Sequence, residues 1–187
     1  MIYDNREARR WYDAYTNLGR AAVYWNALEP EEKRQFEAFS DELHYNRGED
    51  LMQAGSPANR VMLIRNGFAK VIHYYAPGPG HIASIIGPGN LVGEYEAMID
   101  RPRHGTVTAL NTVTVWAMTV AAFNKFIDRH RNAHRALTES VVIKSTELGR
   151  MPVSLALLPA VQRVAMLLFD TAAVDRDLHG VAAGRVA

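Results

Sequence analysis

The stretch GEYEAMIDRPRHGTV, residues 93–107, carries a Gly-Glu pair and, nine positions after the Glu, an Arg preceded by Pro, in a neighbourhood otherwise rich in Val and Thr. A buried Glu or Arg is costly unless something pairs with it. Gly93 lets the backbone turn and come close to a ligand, and Glu94 can accept two hydroxyl hydrogen bonds, as a ribose edge offers. Arg103 supplies a planar fork that matches phosphate oxygens. A helical turn over Glu94, Tyr95 and Glu96 would aim backbone N–H groups at the same anion. An anionic sugar phosphate is the partner this set suggests. A structural Glu–Arg ion pair can have the same spacing, so the pair by itself leaves both readings open.

The elements that must position these residues are legible in the surrounding pattern. In residues 1–43, Trp11, Tyr15, Leu18, Ala22 and Trp25 fall at three- and four-residue spacings and predict an amphipathic helix. A second helix is predicted over LEPEEKRQFEAFSDEL, with Pro30 in its first turn and Phe36, Phe39 and Leu43 as one apolar stripe. From about 44 to 120 the texture changes to β-branched and aromatic runs, cut by Gly and Pro every 8 to 12 residues or so, the rhythm of an all-β sandwich or barrel. Seven or eight strands are expected there, with APGPG (76–80) as a hairpin loop.

After Val120 the period is helical again. Leu137, Val141, Lys144 and Leu148 follow the spacing of a two-helix seam, which Gly149 and Pro152 are expected to interrupt. A last amphipathic segment, PAVQRVAMLLFDTAAV, precedes a tail of small residues.

Composition narrows the function classes. The 187 residues hold 48% apolar residues, enough for one real core, and no cysteine, so a disulfide framework, a cysteine zinc site and a thiol nucleophile are all excluded. The N-terminus is charged and aromatic, unlike a signal peptide, and no apolar run reaches membrane-spanning length, which makes the cytoplasm the expected location and gives no membrane partner. A net charge of +1 lacks the broad basic excess of a domain that grips nucleic-acid backbone. His130 and His134 are four apart without a third ligand, and His73, His81 and His104 have no spacing that supports haem ligation. No His-x-His pair, Ser-His-Asp order, Walker loop or paired-acid arrangement stands out, so the chain reads as a binder and not an enzyme.

Residues 93–109 resemble the phosphate-binding cassette of cyclic-nucleotide-binding domains: Gly-Glu-hydrophobic-small-hydrophobic, a loop, then Arg, two small residues and a hydroxyl residue. Gly93, Glu94, Arg103, Gly105, Thr106 and Ala109 match it. The flanks RGEDLMQAGSPANRVMLIRNGFAKV, with Gly48, Gly55 and Gly67 at turn positions, and IIGPGNLVGE look like the family's own. Over residues 25–170 or so, the chain is most similar to the Crp/Fnr bacterial regulators.

That resemblance implies an α+β fold: an antiparallel β jelly-roll (double-stranded β-helix) of cyclic-nucleotide-binding type, with N-terminal helices and a long C-terminal dimerisation helix. Its divisions would be an N-terminal helical extension (1–24), the β-roll (25–130), the dimerisation helix (131–150), and a hinge with the start of a DNA-binding-like domain (151–187). It implies a homodimer through the helix around Leu137–Leu148, a cyclic nucleotide (cAMP) as ligand and no other cofactor, with Glu94 on the ribose hydroxyl, Arg103 on the phosphate, and backbone amides near Glu96 and His104 completing the cradle.

Three features depart from the pattern. Glu96 stands where a small residue is usual, where a carboxylate opposes phosphate unless it points to solvent. His104 follows the Arg in place of Ser, Thr or Ala, either donating to phosphate or lining the rim. Leu148 and Gly149 align with the hydroxyl residues that read adenine, while Ser145 and Thr146 lie nearly one turn earlier. A helix-turn-helix would follow residue 172 in such regulators, so DNA binding is expected only of a parent chain that supplies one. The function implied is the effector-binding and dimerisation part of a transcription regulator. The alternative is a dimerisation or protein-interaction module that keeps the fold without the ligand.

Overall fold

The computed structural model describes residues 24–74 and 80–157, with the backbone alone for His81 and for 146–157. The predicted helix around Trp11, most of the APGPG loop and the segment after Leu157 lie outside the described residues. The chain divides into two compact units, Met1–Thr146 and Glu147–Ala187. In the second unit the described residues are the last turns of one helix.

In the first unit, helices α1 (Tyr24–Ala27) and α2 (Pro30–Ala38) precede strands β1 (Asp41–Tyr45), β2 (Asp50–Met52), β3 (Arg60–Asn66), β4 (Ala69–His73), β5 (His81–Ile86) and β6 (Leu91–Val92). The short helix α3 (Glu94–Ile99), strands β7 (Gly105–Ala109) and β8 (Val113–Thr119), and helix α4 (Val120–Arg129) follow, and α5 begins at Arg131. The strands form two four-stranded antiparallel sheets, ordered β1-β8-β3-β6 and β2-β7-β4-β5. This is the expected jelly-roll with flanking helices.

Strand β3 shows why the sequence demands two layers of cover. Side chains alternate across a strand, yet Val61, Met62, Leu63 and Ile64 are all buried. Val61 and Leu63 pack with Phe36, Phe123 and Phe126 of the helices, while Met62 and Ile64 pack with Met52, Val107, Val113 and Val115 in the core between the sheets. A strand buried on both faces reads as a continuous apolar run.

Two predictions at helix ends are corrected. α2 stops at Ala38, so Phe39 is 55% exposed, while Leu43 belongs to β1 and packs against the core between the sheets; of the proposed stripe, Phe36 is the residue that α2 itself buries. The helix α5 spans Arg131–Leu157 and includes Gly149 and Pro152. A proline inside a helix removes one N–H donor and crowds the preceding turn, which is a local cost.

Two of the expected seam residues, Leu137 and Val141, pack within this chain. Leu137 is 2% exposed within the core that holds Phe36 and Phe126, and Val141 packs against the same cluster. Their stripe faces the protomer's own β-roll, because the apolar side of sheet β1-β8-β3-β6 needs a helical lid. The outward side of this part of α5 carries Val142, 59% exposed.

Candidate functional site

The cassette residues are brought together by α3 and the start of β7. Gly93 takes φ 81°, in the left-handed region, immediately before α3. A Cβ there would collide with Arg103 Nη1 and come within 2.5 Å of Met52 Cε, so glycine is required both for the turn and for the guanidinium that lies on its backbone. The short α3 closes at Asp100, itself left-handed at φ 50°.

Arg103 is 4% exposed. Its Nη1 donates to Gly93 O (2.7 Å) and to Glu96 Oε2 (3.2 Å), and its Nη2 donates to Arg60 O. Its backbone is equally fixed: Arg103 N donates to Ser56 O (2.9 Å) and Gly55 N donates to Arg103 O (2.7 Å). The buried Thr106 accepts from Ala54 N (3.1 Å) through its hydroxyl, tying β7 to the same turn. Gly105 is squeezed against His73, whose Cδ2 would lie 2.8 Å from an added Cβ.

Glu96 does not point to solvent. It is 5% exposed, and its two oxygens divide between partners: Oε2 accepts from Arg103, and Oε1 accepts from His104 N (3.2 Å) and sits against His104 Nδ1. Burial alone would raise this carboxyl, but its bonds from the His104 ring and backbone prevail and take its pKa down to about 2. The same pairing with Glu96 raises the His104 imidazole against the opposing effect of burial. His104 is half exposed, its ring centroid 4.6 Å from that of the buried His73 and 6.2 Å from Tyr95. Its side chain is 52% exposed and bonds the Glu96 carboxylate.

Glu94 is 1% exposed and meets a partner that the sequence pattern did not assign to it: Lys144 Nζ, reaching from α5, lies 2.5 Å from Glu94 Oε1 and 2.8 Å from Leu91 O. Tyr95 makes a second tie to α5, its hydroxyl donating to Val141 O at 3.2 Å. The signal for Lys144 was a cation interrupting an apolar stripe, Leu137-Val141-Lys144, which is tolerable only if a buried anion faces it.

Ser145 and Leu148 lie on α5. Ser145 is exposed and spends its hydroxyl on Val141 O (2.7 Å) one turn back, and Leu148 is placed on α5 by its backbone alone. His130 bonds Gln35 Oε1 (2.9 Å) at the junction of α2 and α5. An apolar cavity of about 330 Å³, lined by Phe39, Ala122, Phe126 and His130 among others, contains none of the cassette residues. Among the described residues no group of three or more His, Cys, Asp or Glu is placed to hold a metal ion, and no helix is long and apolar enough to cross a membrane.

Comparison with known proteins places this geometry. Residues 42–130 match the family model of the cyclic nucleotide-binding domain. The chain is 36% identical over 80 residues to the acetyltransferase Pat of Mycolicibacterium smegmatis, covering 43% of this chain and 24% of that protein. It is 28% identical over 86 residues to the cAMP-dependent protein kinase regulatory subunit of Dictyostelium discoideum, covering 44% and 26%. It therefore aligns with only about a quarter of the length of these curated relatives. The catabolite activator protein of Thermus thermophilus has the same fold, with a TM-score of 0.61 at 19% identity over 73% of this chain and 62% of that one. Residues 42–130, which include Glu94 and Arg103, are thus the part of the chain that is similar to the cyclic nucleotide-binding domain.

Proposed function

We propose that this chain senses a cyclic nucleotide, cyclic AMP in the first instance, as the effector-binding and dimerisation part of a cytoplasmic transcription regulator and not as an enzyme. Glu94 takes the ribose hydroxyl and Arg103 the cyclic phosphate. Gly93, Tyr95, Glu96, His104, Gly105 and Thr106 shape the cradle, and Ser145 and Leu148 lie toward the base. The homodimer forms through α5, by its outward side around Val142, and DNA is contacted only through a helix-turn-helix of the parent protein.

The observation that carries this reading is Arg103: a guanidinium 4% exposed, fixed by the backbone carbonyls of Arg60 and of Gly93, the residue next to the buried Glu94. A guanidinium so held is pre-organised for an anion. The match of residues 42–130 to the nucleotide-binding family and the relative whose name declares cAMP dependence support the ligand class. The ligand-free interaction module has less support, since the family's Glu and Arg are both kept.

Titration calorimetry with cyclic AMP, then cyclic GMP, tests the assignment. Arg103→Ala would strip hydrogen-bond partners from Gly93 O, Arg60 O and Glu96 and cost about 3–5 kcal/mol of stability, so Arg103→Lys is the better probe. It keeps the charge and loses the fork, and should weaken binding at least tenfold. Glu94→Gln should weaken it by about 1–3 kcal/mol. Unchanged affinity in a folded Arg103→Lys protein would contradict the cassette assignment.

A further inference from the structure

In the phosphate cradle of this chain the strongest available donors are already engaged by an internal anion. Arg103 Nη1 and the His104 backbone N–H both bond the Glu96 carboxylate, at 3.2 Å each, one to each oxygen. A phosphate seated against Arg103 would present two oxygens to these same two groups. The carboxylate matches it in charge and in the spacing of its two acceptors.

Resting on the nucleotide-sensing reading above, we propose that Glu96 is an intramolecular stand-in for the ligand phosphate, a competitor that sets the affinity and must leave Arg103 before an anionic ligand can settle. Three features support it beyond the pairing. Glu96 is 5% exposed, so it is built into the site and not draped over it. It stands on α3, the helix that also carries Glu94, so sugar and phosphate positions sense the same segment. His104, with its side chain 52% exposed, gives Glu96 a second partner nearer the solvent, to which the carboxylate can stay bound when Arg103 is taken.

Two anions sharing one guanidinium in a water-poor pocket repel each other strongly, so displacement sets a threshold: only a ligand with further contacts, such as ribose hydroxyls on Glu94, gains enough to drive Glu96 away. Inorganic phosphate or sulfate, lacking those contacts, should not compete measurably in the wild-type chain.

The test is calorimetry of the full chain with cyclic AMP and with inorganic phosphate, comparing wild type, Glu96→Gln and Glu96→Ser, each checked for folding by thermal melting. The proposal expects both variants to bind cyclic AMP at least tenfold more tightly than wild type, and to acquire measurable phosphate binding. Wild-type binding of cyclic AMP with equal or weaker binding by both folded variants overturns the proposal while leaving the nucleotide reading in place. Binding by the variants and not by wild type supports it. Absence of cyclic-nucleotide binding in all three folded proteins overturns both.

Discussion

At the residue scale the cradle is a three-member chain, Arg103–Glu96–His104, whose charges depend on one another. Its effect on stability has a definite sign. Glu96 has its folded pKa held at about 2, below the ordinary 4.5, so its contribution is complete above the ordinary value and is lost as pH falls through about 2. His104 has its folded pKa raised above the ordinary 6.5, so its contribution is complete below that value and is lost as pH rises through the raised one. Both are complete between about pH 4.5 and 6.5. Melting temperatures should therefore decline from pH 6 toward pH 9 in the wild type and less steeply in His104→Asn. Parallel profiles for the two proteins would show that His104 does not carry the charge ascribed to it.

At the scale of elements, α5 is joined to α3 through ions as well as apolar packing. Lys144 answers Glu94, and Tyr95 reaches Val141. Lys144→Met keeps the length of the side chain while leaving the Glu94 carboxylate, 1% exposed, without its cation. The expected loss is about 3 kcal/mol by equilibrium denaturation, with Lys144→Arg retaining most of the wild-type stability. A Lys144→Met protein as stable as wild type would show the pair to be incidental. On the proposed reading, a ribose hydroxyl at Glu94 would also meet Lys144 of α5.

Across the whole molecule, the β-roll and its helical cover were legible because their cause is local and periodic. The run VMLI in β3 and the alternating V-T-V-W-A-M in β8 announce strands buried on two faces and on alternating faces. Gly48, Gly55 and Gly67 take positive φ at the turns where the flanking motif set them. What stayed hidden was long-range. Nothing near Lys144 in sequence identifies Glu94 as its partner, and the Leu137-Val141-Lys144 spacing fits a two-chain seam as well as packing on the protomer's own sheet. Periodicity reports that a face is buried and not against what. The fate of Glu96 was similarly undetermined, since a carboxylate at that position serves either solvent or Arg103, and the choice depends on where β7 brings His104.

The most direct measurement is a crystal structure of the chain with cyclic AMP. The account predicts the cyclic phosphate against Arg103, the ribose hydroxyl on Glu94, and Glu96 drawn away from Arg103 toward His104. Nucleotide bound elsewhere, with the Arg103–Glu96 pair intact, would contradict it.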